Sequence, residues 1–462
     1  MFTFSPILNQ FLAIIFCNLL TLSYGLASGW ATINFNELQS KNSTFPTGAL
    51  TLKEGSFVIS LANVGGFVGT FAFLPISKCF GITRTIHLFG LPLILSSLLI
   101  IYATNVIYLY ASRLLIGLVG GALSVGIPTL VNHISYDNTR GCLNSILDPA
   151  NNVGLIISFF TGNYLCCVDQ AKTLMIGPII FISIMFLLPE SPEYLSKRNK
   201  QKEATKARKF YRGNISETKI LENAEFHQKS SLCEIEKGKP DDKSEKLSVK
   251  DFFTPQASRA IFISFTTVIL SFASGPVVIL SYVTDIFKKT GSSFTTKNSS
   301  LLVSITQIIA NLIFLYIVER INRRTLLIGS SLLTTASFLL FGTYCLLWID
   351  RPEYDWMPLF CFVCITYFSW MGQNPIPFII TFEIFPKKIR QTCLSLSVSL
   401  IWVIQFVLVS IFPSFLETFG LFNTMITFGA ISLLNAVYGY VFVPETRGKS
   451  YCEIMEILSD NE

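Results

Sequence analysis

Amide side chains lie inside several long apolar stretches of the sequence, at spacings that bring them together on helix faces. Gln307 and Asn311 are four residues apart, and Trp402 precedes Gln405 by three. Side chains at these spacings project from the same side of an α-helix. Amides donate and accept hydrogen bonds, and an indole adds a flat apolar face. Such groups can bind a polar solute, or they can join neighbouring helices through polar contacts.

Asp148 and the pair Gln373–Asn374 are further candidates. An acid inside an apolar stretch is costly to bury and is often functional. Asp148 could carry a proton, or it could be an acid that faces water or packs between helices. Gln373 and Asn374 have the same two interpretations as the amides above. Pro375 and Pro377 follow them in the chain and bend helices, so this stretch could form a hinge.

The sequence contains no arrangement of residues that predicts catalysis. No nucleophile lies beside a base, and no phosphate-binding loop is visible. Cys361 and Cys364 form a CxxC pair within an apolar stretch, where buried packing explains them better than a metal site. We therefore expect no enzyme, no metal and no other cofactor.

Composition indicates the environment in which these side chains must be held. The 462 residues are 51% hydrophobic and 14% charged, and mean hydropathy is +0.54. Soluble domains carry roughly 25% charged residues, so this chain lacks the charge to coat a surface in water. Runs of about 20 apolar residues cross a bilayer as helices, and these runs do not alternate as barrel strands do. The sequence predicts an all-α membrane protein with twelve transmembrane helices, near 11–32, 55–75, 86–105, 108–131, 143–167, 173–188, 260–282, 300–318, 325–348, 357–381, 392–415 and 420–443.

Positive charge sets the expected orientation. The segment from Lys197 to Lys250 carries fifteen Lys and Arg residues, which predicts that this segment and both termini are cytoplasmic. The net charge of +6 then reflects topology and contact with the lipid bilayer, and implies no nucleic acid. We expect a multi-pass protein of the plasma membrane. Sequons at Asn42 and Asn298 fall in outer loops and predict glycosylation there.

One short charged phrase occurs twice. Pro-Glu-Ser at 189–191 and Pro-Glu-Thr at 444–446 each follow a set of six spans. The repeat predicts two pseudo-symmetric six-helix halves, with a solute site near the membrane midplane between them and transport by rocking. The expected divisions are a first half at 1–188, a cytoplasmic linker at 189–258 with short helices starting near Pro192, a second half at 259–443 and a cytoplasmic tail at 444–462.

These features resemble the sugar-porter family of the major facilitator superfamily, and most of all its insect facilitated trehalose transporter branch. The resemblance covers about residues 11–455 and is carried by YASRLLIGLVGGALSVGIP, PESPEYL, VERINRR, NPIPF…EIFPKKIR and VPETRGKS, with NNVGLIISFFTGNYL pointing to the trehalose branch. It implies the major facilitator fold, facilitated diffusion of a small-molecule sugar, and no metal or nucleotide cofactor. We also expect the protein to function as a monomer.

The resemblance extends to individual residues. Gln307 and Trp402 match sugar-contacting positions, and Asp148 falls where many hexose carriers have glutamine. The expected substrate-binding residues are Asp148, Asn152, Ser271, Tyr282, Gln307, Asn311, Asn374, Phe378, Trp402 and Gln405. The expected cytoplasmic gating charges, which would pair across the halves when the inner side is shut, are Arg113, Arg140, Glu190, Glu319, Arg323, Arg324, Glu383, Arg390, Glu445 and Arg447.

The seventh span departs from the family. Where the family reads Gln-Gln-Leu-Ser-Gly-Ile-Asn, residues 271–277 read SFASGPV, so two glutamines and an asparagine are absent. Each lost hydrogen bond weakens binding by about 0.5–1.5 kcal/mol. His133 replaces a glutamate of the fourth span, and the first span lacks the acid that proton-coupled relatives have. Three functions stay open: a facilitative transporter of trehalose or a hexose by alternating access, a proton-coupled sugar symporter, and a non-transporting sugar sensor.

Overall fold

The computed structural model describes residues 5–40, 48–186, 188–213, 249–290, 296–348, 351–449 and 451–459. These residues form helices and turns, with no strand among them. Of the predicted glycosylation sites, Asn42 lies outside the described residues, and Asn298 lies in the first turn of a helix that begins at Thr296. Glycosylation at both positions stays a prediction.

The first half consists of six helical spans, which we number in chain order. Spans three, five and six are each made of two helices in tandem. The first three spans are Pro6–Leu38, Leu52–Phe80, and Ile82–Leu88 with Gly90–Ile101. The next three are Val106–Ile134, Asp137–Asn144 with Leu147–Tyr164, and Cys167–Leu174 with Ile176–Met185.

The second half repeats this arrangement. Spans seven to ten are Pro255–Ala273 with Pro276–Ser281 and Val283–Lys289, then Thr296–Ile317, then Arg323–Leu347, then Met357–Phe368 with Ser369–Gln373 and Ile376–Ile384. Lys387–Val441 is a helical run of 55 residues that contains the left-handed Gly420, at φ 76° and ψ 168°. Because that residue leaves the helical conformation, it divides the run into spans eleven and twelve. The prediction of twelve spans in two halves is confirmed.

Spans seven and ten are interrupted within the membrane. In span seven, Gly275 has φ 89° and Pro276 begins the next helix, so the chain turns at that point. In span ten, Ser369–Gln373 form a π-helical turn, in which the Asn374 N–H donates to the Ser369 carbonyl at 2.9 Å. π-turns inside helices often lie at functional sites. The break falls where the sequence predicts a hinge.

The two ends of the bundle differ. One end, the linker face, carries the helices Pro192–Lys197 and Gln201–Arg212, the 3₁₀ turn Val249–Phe253 and the tail helix Tyr451–Ser459. The opposite end, the far face, carries the loops that follow the odd-numbered spans. Short helices thus occur in the linker where the sequence predicts them.

The linker helices are attached to the first half through hydrogen bonds to their carbonyl groups. The Asn9 side chain donates to the Phe210 carbonyl at 2.8 Å, and the Gln10 side chain donates to the Tyr211 carbonyl at 2.9 Å. The Tyr211 hydroxyl donates to the Pro189 carbonyl at 2.8 Å. Burial raises the pKa of Tyr211 well above its usual range, so the phenol keeps the proton that it donates.

Apolar packing joins the halves at one end of the bundle. Phe35 of span one and Tyr282 of span seven belong to one buried cluster at the far face, with their rings edge to face at 5.3 Å. A separate buried cluster, which includes Leu327, Ile384 and Cys393, belongs to the second half near the linker face. The halves therefore share a core at the far face and pack separately at the linker face.

Spans two and four form a close helix pair through small residues. A β-carbon on Gly117 would lie 1.8 Å from the Ala62 carbonyl oxygen, and one on Gly121 would lie 1.9 Å from that of Gly66. Small residues allow such backbone contact, which drives helix association in lipid where burial from water is absent. These two spans therefore pack as a rigid pair within the first half.

Gly117→Ala should destabilise the fold, because the added methyl group overlaps a carbonyl that belongs to a packed helix. Overpacking of this kind costs about 1–3 kcal/mol, so we expect a lower thermal midpoint in detergent, measured by fluorescence-detected size exclusion after heating. Gly329→Ala is the matched control, since a β-carbon there meets no atom within 4 Å. Equal midpoints for the two variants would contradict the close pairing.

Candidate binding site

Buried amides without hydrogen-bond partners define the interior site. These side chains are between 1% and 5% exposed and come from spans five, eight, ten and eleven: Asn152, Gln307, Asn311, Asn374 and Gln405. In each of them at least one amide oxygen or nitrogen is buried with no hydrogen-bond partner among the described residues. A buried polar atom left unpaired costs about 1–3 kcal/mol. A hydrogen-bonding solute would relieve that cost.

Contacts between the halves bring these spans together. Span five packs against span eight, and span two packs against span eleven. Trp402 of span eleven lies over Gly66 of span two, where a β-carbon would come within 2.4 Å of the indole ring. The Trp402 Nε1 is also buried with no partner among the described residues. The amides and this indole therefore lie where the two halves meet.

Ser271 has a different position from the one that we expect from the sequence. Its hydroxyl accepts a hydrogen bond from the Asn435 amide at 3.1 Å, and the same amide donates to the Ser331 hydroxyl at 3.0 Å. Gln373 is held in the same way, donating to Ser274 at 2.6 Å. These bonds join spans seven, nine, ten and twelve within the second half. In this conformation the Ser271 hydroxyl takes part in packing between spans, and its assignment to substrate binding stays a prediction.

Tyr282 closes the far face. Its hydroxyl donates to the Val409 carbonyl at 2.8 Å, and its ring stacks on Phe412 at 5.0 Å. Close by, the Thr284 hydroxyl donates to the Thr32 carbonyl at 3.1 Å, which joins span seven to span one. Tyr282 thus serves as part of the contact between the halves, and its hydroxyl is occupied.

Phe378 and Phe272 form an apolar wall beside the amides. Their rings meet edge to face with centroids 6.0 Å apart. Phe272 belongs to a buried cluster with Val268 and Ile401, and Val277 packs against that cluster. Two of the three positions at which the family has amides in span seven, Phe272 and Val277, therefore belong to an apolar cluster in the folded protein.

Asp148 and Asn152 occupy successive turns of span five. Asn152 is buried among the unpartnered amides, whereas Asp148 lies one turn nearer to the linker face and is exposed. No hydrogen bond or ion pair to Asp148 occurs among the described residues. Of these two residues, Asn152 is the one that is buried with the other amides, although the resemblance assigns position 148 to sugar binding.

The repeated glutamates bind the starts of helices. Glu190 accepts hydrogen bonds from the backbone N–H groups of Thr83 and Arg84, at 2.9 and 3.1 Å, where span three begins. Glu445 accepts from those of Arg323 and Arg324, at 3.1 and 3.2 Å, where span nine begins. A carboxylate at a helix N-terminus satisfies unpaired N–H groups and faces the positive end of the helix dipole. Each acid therefore stabilises its own half in this conformation.

The arginines that follow these glutamates bind the ends of helices. The Arg447 guanidinium donates to the carbonyls of Arg320 and Glu319, at 2.6 and 2.8 Å, where span eight ends. In the first half, Arg198 donates to the carbonyls of Lys78 and Cys79, both at 3.2 Å, where span two ends. The pseudo-symmetry of the chain thus extends to its linker-face hydrogen bonds.

Other predicted gating charges gather on the linker face of the second half. Arg323 lies 3.7 Å from both Glu319 and Glu383. Arg390 donates to the Phe385 carbonyl at 3.0 Å, and Arg324 donates to the Tyr440 carbonyl. In the first half, Arg140 lies in the helix Asp137–Asn144 at the same face.

Arg113 does not belong to this group, and its assignment as a gating charge is wrong. It lies in span four, 21 residues before Ile134 at the linker face, which corresponds to roughly 30 Å of helix. Its guanidinium donates to the carbonyls of Val58 and Ala27, at 2.9 and 3.1 Å. Arg113 therefore joins spans one, two and four toward the far face.

His133 marks a linker contact that the sequence did not reveal. Its Nδ1 lies 2.9 Å from the Ser191 hydroxyl, and its Nε2 lies 3.2 Å from the Glu193 carboxylate. The Arg212 guanidinium donates to the His133 carbonyl at 3.1 Å. The histidine ties the end of span four to the first linker helix, which is a contact between segments nearly sixty residues apart.

Two six-span halves that meet around unpartnered amides define a membrane transport protein. The chain matches the family model described as sugar (and other) transporter over residues 17–458, and it belongs to that family. The sugar-porter resemblance that the motifs indicate is thus confirmed.

Named relatives and a solved structure agree with this assignment. The facilitated trehalose transporter Tret1 of Bombyx mori is 27% identical, with 96% of this chain and 86% of that protein covered. The protein of the same name from Anopheles gambiae is also 27% identical, but the chain spans only 55% of its length. The inward-open xylose transporter XylE from E. coli superimposes with a TM-score of 0.78 at 18% identity, over 97% of this chain and 99% of that one. At that identity the structural match shows the fold.

Glu445→Gln should lower the thermal midpoint in detergent. The charged acceptor of the span-nine N–H groups is lost, and a hydrogen bond to a charged group is worth about 1.5–3 kcal/mol. Glu417→Gln, at an exposed position of span eleven, is the control and should leave the midpoint unchanged. If Glu445→Gln has the same thermal midpoint as the parent and the control, Glu445 does not stabilise the start of span nine.

Proposed function

We propose that this protein carries a neutral sugar, trehalose or a small hexose, down its concentration gradient by alternating access. The observation that supports this most strongly is the group of buried, unpartnered amides between the halves. A sugar offers many hydroxyl groups for amides and an apolar CH surface for aromatic rings. The trehalose transporters named above, which match the chain along nearly its whole length, favour the same substrate class.

The distribution of polar groups suggests how such a sugar would lie. Spans five, eight, ten and eleven supply the amides, and Trp402 supplies an aromatic face. Phe272, Val277 and Phe378 supply apolar surface, so a sugar would turn its hydroxyl groups toward the amides and its CH groups toward these residues and Trp402. Since span seven contributes no amide here, we expect weaker binding of glucose than in relatives that keep the family motif.

Alternating access requires two arrangements of the halves. In the described conformation the halves share their apolar core at the far face and have separate cores at the linker face. We infer from this packing that the passage opens toward the linker face in this conformation. We assign that face, with both termini, to the cytoplasm, and the protein to the plasma membrane as a functional monomer.

The charges at the linker face would act in the closing step. When the halves approach there, Arg140 and Glu190 of the first half would meet Glu383, Arg390 and the Glu445–Arg447 pair of the second. In the open arrangement Glu190 and Glu445 bind the starts of spans three and nine instead. When the linker face closes, these carboxylates would thus exchange backbone N–H partners within their own half for arginines of the other half.

Arg113 supports a facilitative mechanism over proton coupling. The guanidinium is buried and bonded to two backbone carbonyls, and residues 12–30 of span one include no acid. That part of span one, whose Ala27 carbonyl accepts from the arginine, therefore supplies no carboxylate that could gain and lose a proton. Facilitated diffusion needs no such group.

Gln307→Ala and Asn374→Ala should each raise the KM for sugar by roughly twofold to tenfold, which corresponds to one lost hydrogen bond of about 0.5–1.5 kcal/mol. The measurement is counterflow of labelled trehalose and glucose in proteoliposomes. Asn423→Ala is the control, because among the described residues that exposed amide donates only to the Phe419 carbonyl of its own helix.

The parent protein decides between the candidate functions in the same assay. Sugar that binds to the parent without crossing the membrane would favour a sensor. If neither trehalose nor glucose binds or crosses, the proposal of a sugar substrate fails.

Sugar uptake should be independent of the proton gradient. An inwardly or outwardly directed pH gradient, or its collapse by a protonophore, should change the initial rate by less than twofold and should not produce accumulation above equilibrium. Protein-free liposomes serve as the control for leakage. Uphill accumulation that the protonophore abolishes would establish a symporter instead.

A further inference from the structure

The Asp148 carboxylate of span five has no part in the hydrogen bonds described so far. It is exposed, although it belongs to a helix that crosses the membrane. Among the described residues no side chain pairs with it. Exposure of an unpaired, ionised carboxylate to lipid would be strongly disfavoured. The direction in which Asp148 points therefore decides what it can do.

Helix geometry directs Asp148 away from lipid. The exposed apolar residues of span five are Val153, Ile157, Phe160 and Tyr164. At 100° per residue, they share one face of the helix. Asp148 lies about 140° from Val153 and about 180° from Ile157 on the same wheel. Its exposure is therefore to an accessible space inside the bundle.

Asp148 lies on the passage between the amides and the linker face. Asn152 is one turn deeper and buried, with both amide atoms unpartnered among the described residues. Span five packs against span eight, which carries Gln307 and Asn311 one turn apart. Arg140 lies two turns nearer to the linker face and takes part in other contacts. A solute that leaves the amides toward the linker face passes the carboxylate.

We propose that Asp148 is a charge filter, which makes the transporter reject sugars that carry a carboxylate or phosphate and accept neutral sugars and amino sugars. The inference rests on the sugar transport proposed above. An unpaired carboxylate in a passage of low dielectric repels an anionic solute strongly, because few water molecules screen it. The same field leaves a neutral sugar unaffected and attracts an ammonium group. The glutamine that many hexose carriers have at this position is uncharged and would not repel an anionic sugar.

The first test compares counterflow of glucose, glucosamine and glucuronate in proteoliposomes. Asp148→Asn should raise the rate for glucuronate relative to glucose at least tenfold and lower that for glucosamine. Asp148→Glu keeps the charge and should therefore keep the parent's glucuronate-to-glucose ratio. Asp169→Asn should also leave that ratio unchanged, since Asp169 is exposed at the far-face end of span six and pairs with Lys172. An unchanged glucuronate-to-glucose ratio in Asp148→Asn, with glucose transport retained, would overturn the filter.

The second test does not depend on transport. Asn152→Cys places a thiol one turn beyond Asp148, and its reaction rates with cationic and anionic methanethiosulfonate reagents are measured from the linker face. Subtraction of the rates for the parent chain removes the reaction of exposed Cys79 and Cys142. Adding Asp148→Asn should lower the cation-to-anion rate ratio at least tenfold. An unchanged ratio overturns the filter, whereas failure of the parent to move glucose overturns only the proposed function.

Discussion

A polar group in the interior of a bilayer must find its partner within the protein, because no water is available there. This constraint separates packing from binding in a set of residues that look alike. Gln373 has partners for both of its amide atoms on neighbouring spans of the second half, and Asn435 has them for its nitrogen. Asn152 and Asn374 are equally buried, yet both amide atoms of each have no partner among the described residues. The first pair holds helices together, and the second pair is available to a solute.

The same requirement explains the charged phrase that the chain carries twice. Each helix start leaves N–H groups unpaired, and each helix end leaves carbonyls unpaired. Glu190 and Glu445 satisfy starts, whereas Arg198 and Arg447 satisfy ends, in corresponding places of the two halves. These bonds make each half a rigid unit. Rigid halves are what a rocking mechanism requires, because flexible ones would deform instead of rotating.

Asymmetry between the two ends of the bundle sets the conformation. Apolar residues such as Phe35 and Tyr282 join the halves at the far face. At the linker face Glu190 and Glu445 bind helix starts within their own halves, and the buried cluster of the second half there is separate from the shared core. The binding groups are asymmetric as well, since amides come from four spans while span seven presents Phe272 against Phe378. A substrate with both polar and apolar faces suits this arrangement.

Local sequence patterns determined the twelve spans, the duplication and the break in span ten, because apolar length, repeated motifs, Gly and Pro act over short distances. They also indicated which amides deserved attention, including Gln307 and Gln405. Only the tertiary structure decided their roles, because a hydrogen-bond partner can lie anywhere in the chain. Ser271 is paired by Asn435, 164 residues away, and Asn152 is left unpaired, although both fitted a binding site equally well by sequence. Arg113 was grouped with the cytoplasmic charges by motif, but its depth in span four and its bonds to Val58 and Ala27 place it toward the far face.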